Sequence, residues 1–404
     1  MTPHRKPIVV FHRYPFSEVE DTNPSMASFL EGLVALGHNV VYVSFKEKRP
    51  TSACFKGIEF VHLNMVFDRR LARSKFSKSF LFMLLMPWLT RSIVSKYQPA
   101  LIYCDDSLPF YPFVVKKFSG VRVVARLGDL QTGYYLLGGS RLFRALFRLL
   151  HFIEKRCWRA MDGLIPISEA FGHYVNATGV DPQKVTVIPE SVNLSKFKPT
   201  RESAHLRQRL SLAPTDKIMM FHGAIESLKG LDSLLELSAE WLVPTLGVKL
   251  VIVGNGSALE RLFLIAQRLG IQNRVIFTGW IPHDLIPDVI ALCDVGIPMR
   301  SRNPANDFVL TSAVLQYWAC GKPVLVPRLK EMTRIMEESG GGICFDFGDK
   351  AQFQRALRVL LDNEDLRRTL GTIGMKFAAQ NYSSTMVGRN LALAVSAFAS
   401  GESA

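Results

Sequence analysis

Short apolar runs alternate with longer amphipathic segments through the whole chain. In the first half the runs predict strands at Pro7–Phe11, Asn39–Phe45, Ala100–Cys104, Val121–Ala125, Gly163–Ile167 and Lys184–Ile188. Helical periodicity falls between them, at Ser25–Leu36, Leu81–Tyr97, Pro109–Phe118, Arg141–Ala160 and Glu169–Ala177. Near Pro189–Pro199 the pattern gives way to a loop rich in Asn, Ser, Lys and Pro, and then a second series begins. Its strands are expected at Ile218–His222, Lys249–Val253, Val275–Thr278, Val295–Pro298, Pro323–Val326 and Gly342–Phe345, with a terminal helix at residues 386–398. Short apolar runs separated by helices imply parallel βαβ units. The expected fold is therefore α/β: two tandem Rossmann-like, doubly wound domains facing a cleft. The divisions fall at 1–190, 191–385 and a crossover helix with tail at 386–404. Ligands of such sheets sit beyond the carboxyl ends of the strands, so chemistry is sought there.

Composition narrows the class. The chain has 404 residues, 48% of them apolar and 21% charged, which suits a globular protein of two domains. Its net charge of +14 is uneven: residues 1–200 hold 27 Lys and Arg against 15 Asp and Glu. Nucleic acid is discounted as a partner, because no motif for it accompanies the charge. The six cysteines are scattered without a C-x-x-C pair, as expected of reduced, buried thiols in a cytoplasmic protein. The first seven residues lead directly into Ile8–Phe11, so no secretory leader is expected. The longest apolar run, Phe80–Leu89, is about half of the ~20 residues a spanning helix needs.

Basic amphipathic segments change that picture. Arg69–Lys78 precedes the apolar run, and Arg141–Leu150 sets Arg141, Arg144 and Arg148 on one face with Leu and Phe around them. Cationic, apolar helices of this kind lie on anionic bilayers. Residues 69–91 and 141–159 are therefore expected to meet an anionic membrane surface. The expected location is therefore cytoplasmic, peripheral on the inner face of the cell membrane.

The motifs follow strands. Phe221-His-Gly-Ala-Ile-Glu-Ser-Leu-Lys-Gly230 offers Gly223 for a close backbone approach and Lys229 for a diphosphate. Val251-Ile-Val-Gly-Asn-Gly256 ends a strand in Gly254, Asn255 and Gly256 but lacks the third glycine of a dinucleotide fingerprint. Gly279, Trp280 and Ile281 could present backbone groups and an apolar wall to a base. A helix ends at Gly321 before Lys322-Pro323, and its amino end, at Thr311 and Ser312, carries free N–H groups and a positive dipole suited to phosphate.

In order and spacing, these elements closely resemble the nucleotide-sugar domain of the family 4 glycosyltransferases of the GT-B fold. Ala291–Pro298, Ala319–Val324, Gly340–Asp349 and Leu361–Gly371 extend the likeness, and Leu36–Val40, Met161–Ser168 and Val187–Val192 look like landmarks of the first domain. The resemblance implies retaining transfer of a sugar from a nucleoside diphosphate sugar to a glycan or lipid-linked acceptor, without a metal or other cofactor. It also implies donor binding by the second domain, acceptor binding by the first, and a late helix crossing back to the first domain. The setting would be surface polysaccharide or glycolipid synthesis. Several positions depart from the pattern. Phe308 and Gln316 stand where two glutamates are usual, with Asp307 the nearest carboxylate. Ala224 replaces a frequent Arg, and Arg300 and Arg302 are candidates to compensate. Gly128 replaces a His, while Asp129 matches its neighbouring Asp. Asp129 and Arg126 are then the acceptor-side candidates. Donor-side candidates are Gly223, Lys229, Gly254, Asn255, Gly256, Gly279, Trp280, Ile281, Asp307, Thr311, Ser312 and Gln316. A non-catalytic scaffold subunit of a glycan assembly complex and a nucleotide-sugar epimerase are the alternative readings.

Overall fold

The computed structural model describes residues 6–12, 16, 23–45, 55–63, 75–105, 110–135, 141–242 and 247–401. Two compact units are formed, Met1–Glu190 with Ser384–Ala404, and Ser191–Ser383.

The first unit holds a parallel sheet of β1 (Ile8–Phe11), β2 (Val40–Phe45), β3 (Ile58–Leu63), β4 (Leu101–Cys104), β5 (Arg122–Leu127) and β6 (Gly163–Pro166) in the order β3-β2-β1-β4-β5-β6. In β1 and β4 every residue is buried, which is why they read as unbroken apolar runs. Edge strand β3 was not anticipated. It alternates half-buried residues with exposed Glu59 and His62, so its apolar signal is diluted. The strand expected at Lys184–Ile188 is corrected to a single parallel bridge, Val185 with Leu164. Thr186 N donates to Leu164 O and Ile188 N to Pro166 O, but Pro166 has no N–H to return. The helix Lys75–Tyr97 starts earlier than its periodicity suggested and carries Pro87 inside. Residues 69–74 of the basic run lie outside the described residues, as does Pro109. No helix among the described residues is long and apolar enough to cross a membrane.

The terminal helix Ser384–Ser400 belongs to this first unit and packs on the helix Met26–Ala35. Gly388 makes the approach close: a Cβ there would lie 2.6 Å from Ser25 O and 2.8 Å from Phe29 N. Farther along, His38 Nε2 meets Ser396 Oγ at 2.7 Å, and Arg122 donates to the carbonyl of Phe398.

The second unit holds β7 (Lys217–His222), β8 (Val248–Val253), β9 (Val275–Gly279), β10 (Val295–Gly296), β11 (Val324–Pro327) and β12 (Gly342–Phe345) in the order β12-β11-β10-β7-β8-β9. The order reverses between β7 and β10. One face of this sheet buries Trp318 and Tyr317 from the helix Ser312–Ala319. The Tyr317 hydroxyl donates to Met220 O at 2.8 Å, and its ring lies 4.8 Å from that of His222. His222 is only 8% exposed, and its Nε2 has no hydrogen-bond partner among the described residues. Burial, with a smaller push from His283, lowers its pKa to about 3. Of the described cysteines, four are buried and Cys344 is half-buried.

Two outcomes are expected. Gly388→Ala gains about 1 kcal/mol of helix propensity but meets immovable backbone, an overpacking cost of about 1–3 kcal/mol. A net loss of about 1 kcal/mol should lower the calorimetric midpoint by about 2–4 °C. An unchanged midpoint would show that the helix pair yields. His222 has a folded pKa below its unfolded value, so its neutral form supports folding above about pH 6.5, and that support is lost as pH falls toward about 3. Urea unfolding from pH 7 to 5 should therefore show a shallower stability loss in His222→Gln than in the parent, by up to about 1.4 kcal/mol per pH unit. Parallel profiles would contradict a buried, neutral imidazole.

Candidate donor and acceptor sites

The candidate donor site is built where β7, β8 and β9 end. Gly223 and Gly254 follow their strands at φ +137° and +138°, a region open to glycine. The three strand ends are sewn together. Gly223 N donates to Val253 O, Gly254 N to Gly279 O and Ile225 N to Asn255 O, each at 3.0 Å. A Cβ on Gly254 would fall 2.0 Å from Gly223 O, and one on Gly256 would fall 2.2 Å from Ile225 O. Gly254 and Gly256 are therefore committed to seating one loop on the other. The side chain of Asn255 turns back and accepts from Gly256 N at 2.8 Å.

The other donor-side candidates lie on the segments that follow β7, β9 and β10. Lys229 is half-buried at the end of the short turn Ser227–Lys229. Trp280 is 71% exposed, so it is no core residue, whereas half-buried Ile281 packs against the core. Thr311 stands at the amino end of the helix Ser312–Ala319 without capping it, and its buried Oγ1 has no hydrogen-bond partner among the described residues. Ser312 is exposed and Gln316 half-buried. Asp307 lies 4.0 Å from Lys330 Nζ, while Phe308 is turned inward and buried. His222 was missed by sequence reasoning; a polar residue closing an apolar strand was the available signal.

In the first unit Arg126, 5% exposed, is the hub of a buried charge cluster at the ends of β4 and β5. It lies 3.9 Å from Asp105 and 3.7 Å from Glu190. Burial opposes its charge, but Tyr103, Glu190 and Asp105 outweigh burial and raise its pKa. Burial likewise raises the Glu190 pKa, against Arg126 and with help from Asp105 and Asp129. Among the described residues, Arg126 Nη1 has no hydrogen-bond partner. Asp129 is half-buried two residues past the end of β5. Asp105 and Glu190 were not among the expected site residues, and only their positions beside strand ends could have pointed to them.

The turn after Asp129 is pinned by the helix Arg141–Arg159. Thr132 donates to buried Glu154 at 2.5 Å and accepts from His151 Nδ1 at 2.8 Å, and His151 Nε2 reaches Tyr174 OH at 2.6 Å. The far side of that helix is apolar and bare: Leu142 is 82% exposed, Leu146 50%, Leu149 55% and Ile153 39%. At about 100° per residue these four fall within about 60° of one another, with Arg141, Arg144 and Arg148 along one flank.

Models of known families match both parts of the chain. The model for glycosyl transferases group 1 matches residues 202–377, and that for glycosyltransferase family 4 matches residues 24–196. The D-inositol 3-phosphate glycosyltransferase of Segniliparus rotundus is 30% identical over 214 residues, 52% of this chain and 46% of that relative. The matched region thus spans about half the length of the curated relatives. Sucrose-phosphate synthase from Thermosynechococcus elongatus has a similar structure, with a TM-score of 0.75 at 17% identity, over 98% of this chain and 100% of that one. So does HepE from Anabaena in complex with UDP-glucose, with a TM-score of 0.69 at 17% identity, over 97% of this chain and 99% of that one. With both of its parts matched and its fold shared, the chain belongs to the family 4 glycosyltransferases of the GT-B fold.

Proposed function

We propose that this protein is a retaining glycosyltransferase that moves a sugar from a nucleoside diphosphate sugar to a glycan or lipid-linked acceptor. The carrying observation is the sewn floor at Gly223, Gly254 and Gly279, with Lys229 on the segment after β7 and the helix start at Thr311 on the segment after β10. Charge builds on the nucleoside diphosphate as the glycosidic bond breaks. Lys229 and the N–H groups of Ser312–Ala319 would neutralise it. Trp280 offers an exposed aromatic face to the base. Gln316 would accept from the ribose hydroxyls, more weakly than a carboxylate. On the acceptor side, Asp129 would order a hydroxyl and Arg126 Nη1 would meet a phosphate or sugar oxygen. The bare apolar stripe beside Arg141, Arg144 and Arg148 supports docking on an anionic membrane face, where a lipid-linked acceptor would be met. A second reading, a non-catalytic scaffold subunit, is favoured by Phe308, whose buried side chain offers a donor nothing.

Calorimetric titration with UDP, GDP, ADP and their sugar conjugates separates the two readings. Saturable binding to one base is expected, and Lys229→Ala should weaken it by about tenfold or more. No binding at millimolar ligand would move the scaffold reading forward, and unchanged affinity in Lys229→Ala would remove that residue from the site. For the membrane, the parent should float with vesicles rich in phosphatidylglycerol. Exchanging two stripe leucines for Glu (Leu146→Glu with Leu149→Glu) forfeits apolar burial worth about 1.5–3 kcal/mol each. Flotation should fall at least about tenfold, and equal flotation would dismiss the helix as the contact.

A further inference from the structure

We infer that Arg300 is a diphosphate ligand of this chain, standing beside Lys229 where the strand order of the second sheet reverses. The inference rests on the donor reading above. In a doubly wound sheet the loops leaving adjacent strands on either side of the reversal open a crevice at the carboxyl ends, and ligands bind there. Here those strands are β7 and β10, paired through Met219 with Val295 and Met220 with Gly296. The loop after β7 carries Lys229, and the loop after β10 carries Arg300.

The two loops are held together. Ser301 donates to Leu228 O from its N at 3.3 Å and from its Oγ at 2.8 Å. A Cβ on Gly230 would lie 2.9 Å from Ser301 N and 3.1 Å from the carbonyl carbon of Arg300. Lys229 and Arg300 each adjoin a residue of this contact, so the two cationic residues stand on loops held together at the crevice rim. Arg300 is also oriented. Its Nη1 donates to Asn306 Oδ1 at 3.2 Å. Asn306 is fully buried and fixed in turn, donating from Nδ2 to Ser301 O at 2.7 Å and from its backbone N to Asn303 Oδ1 at 2.9 Å. Asn306 is uncharged, so it aims the guanidinium without neutralising it, and one of five donors is spent. A planar fork so held suits two oxygens of a phosphate. The same loop runs on to Thr311, 8% exposed, whose Oγ1 has no hydrogen-bond partner among the described residues. A phosphate oxygen would accept from it.

The test is titration of Arg300→Ala, Arg300→Lys and Arg302→Ala with whichever of UDP, GDP or ADP the parent binds. Arg300→Ala should bind about ten- to a hundredfold more weakly. Arg300→Lys should recover part of the loss, because charge survives and the fork does not. Exposed Arg302 should be replaceable with little change. Unchanged affinity in Arg300→Ala overturns the inference. So does a loss that Lys does not reduce, which would mark Arg300 as a structural tie of its loop, or an equal loss in Arg302→Ala, which would mark general surface charge. A parent that binds no nucleotide defeats the donor reading itself, and the inference with it.

Discussion

Backbone lying directly on backbone is the constraint from which the candidate donor site follows. The carbonyl of Gly223 occupies the place a Gly254 side chain would need, and the carbonyl of Ile225 does the same at Gly256. Any larger residue would push the loops after β7 and β8 apart, because a carbonyl in a hydrogen-bonded loop cannot swing aside like a side-chain tip. With the loops seated, three strand ends share one set of hydrogen bonds. Their peptide groups are then fixed before a ligand arrives, so less ordering is left for binding to offset.

Buried polar groups sort the chemistry of the two units. Burial opposes the charge of Arg126, but Tyr103, Glu190 and Asp105 together outweigh it. His222 has no such partner and is held neutral. The first is a fixed cation beside the candidate acceptor residues; the second is an uncharged wall packed on Tyr317. The helix Arg141–Arg159 divides its labour by face: Glu154 and His151 hold the turn after Asp129, while Leu142, Leu146 and Leu149 stay bare.

Much of the sheet architecture was legible in the sequence because parallel strands covered on both faces appear as continuous apolar runs. Edge strand β3 broke that rule by exposing Glu59 and His62 and escaped notice. Lys184–Ile188 failed in the opposite sense: its composition is strand-like, but Pro166 cannot complete the ladder. The candidate donor site was proposed from strand-end glycines and a helix start, since these obey local conformational rules. Asp105 and Glu190 were not, because a carboxylate in a loop looks the same whether it faces water or a buried guanidinium.

By itself, then, the sequence determined the alternation of strands and helices and the glycines that permit tight loops, since propensity, periodicity and positive φ act over a few residues. Only the tertiary structure decided what those glycines touch, that Phe308 turns inward while Trp280 stays exposed, and that Ser301 joins two loops far apart in the chain. Such contacts depend on strand order, and the reversal between β7 and β10 exists only once the whole sheet has assembled.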